Sequence, residues 1–325
     1  MPDLRVTLGA LTLANPVLVA AGTFGYGLEF AATVPLDRLG ALITKTLTRQ
    51  PREGNPPPRL VETPSGLLNS VGLQNAGLDP FLRDTLPALR PAKVPVIVSI
   101  LGDSEEDVAA MVQRLDREDG VAAIELNLSC PNVNHAAHSS KFDMQSSELH
   151  RTSNIEHRTP MVAQDPALTE AMVRAARAKT AKPLIAKLSP DETDLAPRAQ
   201  AAERAGASAL TVGNTFTGMS LDPTTRRSRL GAMTGGLSGP AIRPLAVYRV
   251  WYTARSVRLP IIGTGGIVRA EDALEFFLAG ASAVAVGTAN FADPRTPLRV
   301  ARGLERYLAR QGIASIGQLH GTLQT

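Results

Sequence analysis

Only one cysteine, Cys130, occurs in 325 residues, so no intrachain disulfide can form, and a chain of this length does not need one to hold a core. Aromatic residues are scarce at 4%, and no apolar run reaches the roughly 18 residues that a membrane span requires. The start, Met1-Pro2-Asp3-Leu4-Arg5, carries an acid early and lacks the basic, then apolar, then small-residue order of a secretion signal. These absences set the expectation of a cytoplasmic protein in a reducing compartment, away from membranes. Charge of one sign is scarce as well. The formal charge of +4 comes from 34 Lys and Arg against 30 Asp and Glu, without the basic stripe of a nucleic-acid binder. Any anionic ligand must then be held by a local site.

Ala, Leu, Val and Ile are plentiful, and Gly and Pro stand singly rather than in runs, which suits one large α/β core. Short β-rich apolar runs alternate with longer helical patterns from end to end, as in βαβ units around a parallel sheet. Strands are expected at 17–20, 41–44, 96–100, 123–128, 184–188, 209–212, 261–263 and 283–286. The intervening pattern predicts helices over 104–116, 165–179, 194–205, 241–253, 270–279 and 298–310. Two of these stop at Gly206 and Gly280, where a left-handed C-cap wants glycine. Eight strands with interleaved helices read as an α/β (β/α)8 TIM barrel forming one domain, residues 1–325, although an open doubly wound sheet fits the same pattern. Ahead of the first strand, 5–8 and 11–14 flank Gly9-Ala10 like a small hairpin that can close the bottom of the barrel.

Two connections are long, and such loops are functional or disordered more often than bland. The first, 46–79, is rich in Pro, Gly and Asn with little periodicity. The second runs from Pro131 to about Asp165 and holds four of the five histidines, His135, His138, His150 and His157, but no glycine. Their spacing matches no zinc pattern, and no metal is expected.

In an α/β barrel the active site lies at the C-terminal ends of the strands. Strand one ends in Ala21-Gly22, strand two in Lys45, strand four in Asn127 and then Cys130, and strand five in Lys187. Asn214-Thr215 follow strand six, Gly265-Gly266 strand seven and Gly287-Thr288 strand eight. Glycines after strands seven and eight let backbone N–H groups approach an anion, at the usual phosphate position of such barrels. Phosphate there points to FMN or a phosphorylated substrate, while a plain tight turn accounts equally well for Gly265-Gly266. Lysine is rare, so Lys45 and Lys187 at two strand ends are informative. A cation beside a flavin stabilises its anionic reduced form, and one beside a substrate pairs with a carboxylate; a rim salt bridge is the blander account of either. Cys130, followed by the rigid Pro131, can act as a general base if its surroundings lower its pKa or the pH is alkaline. An inert core thiol is the alternative.

The segments Phe24-Gly25-Tyr26-Gly27, Pro51-Arg52-Glu53-Gly54-Asn55-Pro56 and Leu68-Asn69-Ser70-Val71-Gly72-Leu73-Gln74-Asn75 carry a family likeness. So do Glu125-Leu126-Asn127-Leu128-Ser129-Cys130-Pro131-Asn132, Thr234-Gly235-Gly236-Leu237-Ser238-Gly239-Pro240-Ala241-Ile242 and Val286-Gly287-Thr288-Ala289-Asn290-Phe291. In this order the chain resembles class 1 dihydroorotate dehydrogenase, most closely the NAD-linked class 1B catalytic subunits. The resemblance implies oxidation of (S)-dihydroorotate to orotate in pyrimidine (UMP) biosynthesis. Cys130 would take a proton from C5 while a hydride leaves C6 for N5 of FMN. Orotate would be held by the amides of Asn69, Asn127, Asn132 and Asn214 with Thr215 nearby, and its carboxylate by Lys45 and backbone N–H groups around Gly72 and Leu73. Four amides match a ring of alternating donors and acceptors.

By the same resemblance FMN would lie along Ala21, Gly22 and Lys45, with Thr46 and Asn127 also in its site and Lys187 near its N1–C2 side. Its phosphate would use Gly239, Gly265, Gly266, Gly287 and Thr288. Class 1B subunits pair with an iron–sulfur FAD protein that passes electrons to NAD; one cysteine cannot hold such a cluster, so it would sit on another polypeptide. A homodimer core is the common class 1 arrangement.

The pattern breaks after Asn132. The family continues with a glycine pair and a Phe-Gly in a short lid, whereas here Asn134-His135-Ala136-Ala137-His138 opens a longer run. Residues 133–164 thus read as an atypical inserted active-site loop, which puts lid closure in question. Three other readings compete: a flavin barrel acting on reduced uracil or thymine, a catalytically silent flavin-binding paralogue, and a flavin-free barrel lyase or isomerase acting on a phosphorylated compound.

Overall fold

Apolar runs buried on both faces belong in a parallel sheet covered by helices, and here they close on themselves. The computed structural model describes residues 1–129 and 165–324. Its barrel strands are β1 (Val17–Val19), β2 (Ala41–Ile43), β3 (Val96–Ile100), β4 (Ala123–Asn127), β5 (Leu184–Leu188), β6 (Ala209–Val212), β7 (Ile261–Thr264) and β8 (Ala283–Val286). They pair in sequence order, all parallel, and β8 returns to β1. Closure decides against the open sheet. Alternate side chains split between two apolar clusters. Leu18, Ile43, Ile97, Ile185 and Ile262 fill the barrel, while Val19, Leu42, Val98 and Leu126 face the helices.

The N-terminal hairpin forms from Val6–Leu8 and Leu11–Leu13, and its Leu8 and Leu13 are wholly buried in the cluster that fills the barrel. Gly9 has φ +62°, and a Cβ there would stand 2.7 Å from Cβ of Ser208, just ahead of β6. The hairpin therefore plugs the N-terminal end and leaves the opposite end for chemistry.

The main helices are α1 (Glu105–Asp116), α2 (Pro166–Arg177), α3 (Ala196–Arg204), α4 (Arg243–Ala254), α5 (Ala270–Ala279) and α6 (Thr296–Gln311). Their ends lie within two residues of the sequence reading, α5 matching it at both ends, and several N-terminal differences arise because the capping residue sits outside the helix. Ser104 accepts from the N–H of Asp107 at 3.1 Å, and Asp165 caps α2 in the same manner. The helix expected from 241 instead begins with a 3-10 turn, Pro240–Ile242, that leads into α4. Gly280 closes α5 with φ +109°.

The first long connection departs from its expected irregularity. Leu60–Thr63 and Gly66–Asn69 form a hairpin, and helical turns occupy much of 78–92. The hairpin joins Gly235–Ser238 and Phe216–Gly218 in a four-stranded antiparallel sheet over the C-terminal end of the barrel. Its periodicity escaped the sequence because Leu60–Thr63 is exposed or half-buried throughout. Its Pro64-Ser65 turn also lacks the Asn-Gly type of hairpin signal. Cys130, Asn132, the inserted loop and its four histidines lie outside the described residues. No helix among the described residues is long and apolar enough to cross a membrane.

Candidate active site

A cavity of about 320 Å³ opens at the C-terminal end of the barrel, within the size range of small-molecule sites. Each sequence-predicted site residue that the structure describes lies on its wall. The ends of β1 and β2 contribute Ala21, Gly22, Lys45 and Thr46, and the mouth sheet with its exit contributes Asn69, Gly72 and Leu73. Asn127 and Lys187 come from β4 and β5, where they are paired neighbours. Asn214 and Thr215 follow β6; Gly239 follows the mouth sheet; Gly265, Gly266, Gly287 and Thr288 follow β7 and β8.

The wall is polar in a particular way. Lys45 is half-buried, and burial pushes its ammonium below the ordinary lysine value; the nearby Arg59 guanidinium adds to the shift and Glu29 opposes it. Arg59 itself donates to neutral acceptors, the carbonyls of Asn55 and Glu53 and the Gln74 amide oxygen. Lys187 is 5% exposed. Among the described residues no Asp or Glu lines the cavity. One buried and one half-buried ammonium group without a lining carboxylate favour a negative partner, since unpaired buried charge is costly.

The amides are held from below. Asn127 donates through Nδ2 to Thr46 Oγ1 at 3.0 Å, and its Oδ1 accepts from the Ser129 hydroxyl at 3.2 Å. Asn214 donates through Nδ2 to Ser129 Oγ at 2.8 Å and to the Ser129 carbonyl at 3.1 Å. Asn69 donates to the Gly236 carbonyl at 3.1 Å across the mouth sheet. That sheet needs glycine at 236, because a Cβ would fall 1.9 Å from Thr215 Oγ1.

Gly265 and Gly266 have φ of +136° and +71°. A Cβ on Gly266 would lie 2.7 Å from Arg243 Cβ and 2.9 Å from the Gly239 carbonyl oxygen. The turn after β7 thus crosses the approach to α4 at backbone contact, so the glycines serve close packing as well as turning. Leu73 adopts φ +56°, a left-handed conformation that costs a non-glycine residue energy and that gathers at functional sites.

Sequence reasoning left several wall residues unassigned. Leu67 belongs to the unread hairpin, whereas Ser238 and Phe291 stand inside quoted motifs that gave them no role. Leu60 and Phe291 mark an apolar rim, 50% and 55% exposed. Beneath the wall lies Glu125, wholly buried in β4; a charged residue between the apolar Ile124 and Leu126 was the signal that went unused. Among the described residues no three His, Cys, Asp or Glu side chains group as metal ligands.

Comparison with known proteins adds the following. The family model described as dihydroorotate dehydrogenase matches residues 3–308. Curated relatives from Trichlorobacter lovleyi and Geobacter sulfurreducens, both named dihydroorotate dehydrogenase B (NAD(+)), catalytic subunit, are each 47% identical over 323 residues, covering 99% of this chain and 99% of theirs. The crystal structure of the dihydroorotate dehydrogenase of Eimeria tenella in complex with ferulenol covers 99% of this chain and 89% of its own, with TM-score 0.75 and 24% identity, a likeness of fold.

Proposed function

Since the chain belongs to the dihydroorotate dehydrogenase family, we propose that its barrel-mouth cavity binds FMN and oxidises (S)-dihydroorotate to orotate for pyrimidine biosynthesis. The observation that carries this reading is the convergence of the buried Lys187, the half-buried Lys45 and three carboxamides on a cavity with no acidic residue among its described lining. A carboxylate-bearing ring satisfies both. Reduced uracil or thymine, which has no carboxylate, leaves Lys45 unpaired and is disfavoured for that reason.

The residues present fit FMN. The glycine turns after β7 and β8 allow close backbone approach to its phosphate, and Lys187 sets a positive charge beside a ring that becomes anionic on reduction. FMN, when bound, supplies the hydride acceptor. The chain's own residues do the rest. Lys45 pairs with the substrate carboxylate. Asn127 retains one N–H after its bond to Thr46, and Asn214 retains a lone pair on Oδ1 after accepting from the Thr215 N–H at 2.8 Å. A donor and an acceptor are thereby offered to the ring, with Asn69 and Asn132 completing the set. The Cys130 thiolate removes the C5 proton. Electrons leave for NAD through a partner iron–sulfur FAD subunit, since Cys130 is the only cysteine here, and the assembly works in the cytoplasm around a homodimer core.

The deciding experiment is anaerobic mixing of the purified protein with L-dihydroorotate while following the flavin band at about 450 nm. Bleaching is expected. A yellow protein that stays yellow argues against this substrate, and a colourless one that FMN cannot reconstitute removes the flavoenzyme reading.

The state of Lys45 gives a pH prediction. Orotate binding favours protonated Lys45, whose pKa in the free protein lies below 10.5 through burial. Below that lowered pKa, orotate affinity is flat. Above it binding must take up a proton, so Kd rises toward tenfold per pH unit. Titrating the holoenzyme with orotate across pH reads this directly, and the alkaline weakening is expected to vanish in Lys45→Met. A wild-type Kd flat through pH 10.5 contradicts the pairing.

A further inference from the structure

Among the described residues, Glu125 is the one buried carboxylate inside the barrel that the proposed reaction does not use. Among the described residues no cation pairs with it; two hydroxyls serve it instead. Ser99 on β3 donates to Oε1 at 3.1 Å, and Thr211 on β6 donates to Oε2 at 2.8 Å. Burying a carboxylate with hydroxyl partners alone is expensive, so its presence needs a return elsewhere in the fold.

That return is directional. A serine or threonine hydroxyl has a single proton to donate. The Ser99 proton is committed to Glu125, so in the 3.0 Å contact between Thr46 and Ser99 the donor must be Thr46. The Thr46 proton is then committed in turn, and Thr46 can only accept from Asn127 Nδ2. Asn127 is therefore locked with Nδ2 toward Thr46 and Oδ1 toward Ser129, from whose hydroxyl it accepts. Ser129, its proton committed, accepts from Asn214 Nδ2. An acceptor-only carboxylate at the root thus fixes the polarity of the bonds from Ser99 through Thr46 to Asn127, and the Ser129 N–H, 3.4 Å from Asn127 Oδ1, favours the same orientation.

We propose that Glu125 is a positioning residue for substrate recognition: its carboxylate sets the face that Asn127 turns toward the pyrimidine ring, while Asn214 is oriented by the Ser129 carbonyl and the Thr215 N–H. The inference rests on the orotate reading of the site. A neutral group at the root removes the carboxylate's share of the bias against a reversed chain and leaves only the long 3.4 Å bond from the Ser129 N–H to Asn127 Oδ1. A reversed Asn127 would aim its NH2 group at the Ser129 N–H and present an oxygen where a donor is needed.

The test uses holoenzyme carrying Glu125→Gln and, separately, Ser99→Ala, which cuts the chain one bond further up and keeps the question answerable if the first variant folds poorly. Flavin content, melting temperature and orotate Kd from the flavin difference spectrum are measured together. The expected result in a folded variant is near wild-type flavin content with orotate Kd weakened about tenfold or more, the scale of one mispaired hydrogen bond, and a raised KM. Orotate Kd unchanged in a flavin-replete variant overturns the proposal. So does a loss of orotate affinity that only tracks loss of flavin and melting temperature in both variants, which marks a merely structural carboxylate. Wild-type holoenzyme that shows no orotate response removes the substrate reading itself, and this inference with it.

Discussion

Cys130→Ala is expected to keep its FMN and its affinity for orotate but to reduce the flavin about 10²- to 10⁴-fold more slowly with dihydroorotate, the usual contribution of a positioned general base. Dihydroorotate loses a proton at C5 and a hydride at C6. Replacing the base removes the first and leaves in place Lys45 and the amides of Asn69, Asn127 and Asn214 on the cavity wall, which are proposed to hold the ring. Anaerobic stopped-flow at the pH optimum separates reduction from binding. The wild-type rate is expected to climb with pH as more of the thiol becomes thiolate. Cys130→Ser should fall between wild type and alanine and keep climbing at higher pH, because a hydroxyl is harder to ionise. A Cys130→Ala protein that reduces its flavin at the wild-type rate excludes this residue as the base.

The barrel and much of its wall were readable in the sequence for one physical reason. Val96–Ile100, Leu184–Leu188, Ala209–Val212 and Ala283–Val286 are buried at every position, so their apolar runs stop where the strands stop. In a closed barrel the residues at and just beyond those ends must form the mouth, which is how Lys45, Lys187 and the paired glycines were found. The mouth sheet was hidden because its strands are half-buried, short and rich in glycine, so neither alternation nor continuous apolarity marks them. The network under the wall was hidden for another reason. Ser99 and Thr211 look like ordinary strand residues one at a time, and only the fold brings them to the two oxygens of Glu125. Thr211 reaches it from β6, past β5, as side chains from alternate strands share a layer inside such barrels.

Gly266→Val is expected to yield a folded protein that purifies nearly colourless. The position has φ +71°, which costs an L-residue roughly 1–2 kcal/mol before any contact is considered. Contact makes it worse. The new Cβ would meet Arg243 Cβ at 2.7 Å and the Gly239 carbonyl oxygen at 2.9 Å. Neither neighbour yields readily. Arg243 is tied to the buried Asp272 and, at 3.3 Å, to Glu275 on α5. Asp272 in turn accepts from the backbone N–H groups of Val268 at 2.9 Å and Arg269 at 3.0 Å. The strain must therefore move the turn after β7, where the flavin phosphate is proposed to sit. About 3 kcal/mol of lost binding corresponds to roughly a hundredfold weaker FMN. Gly287→Ala provides the contrast, because its φ is not left-handed and a Cβ there finds nothing nearer than Ala20 Cβ at 3.6 Å, so it should lose less flavin. Flavin stoichiometry by absorbance, with melting temperature of the FMN-stripped proteins as the folding control, reads both variants. A Gly266→Val protein with full flavin and wild-type affinity shows that the turn after β7 does not hold the phosphate, whereas loss of flavin at an unchanged apoprotein melting temperature places the anion there rather than merely the fold.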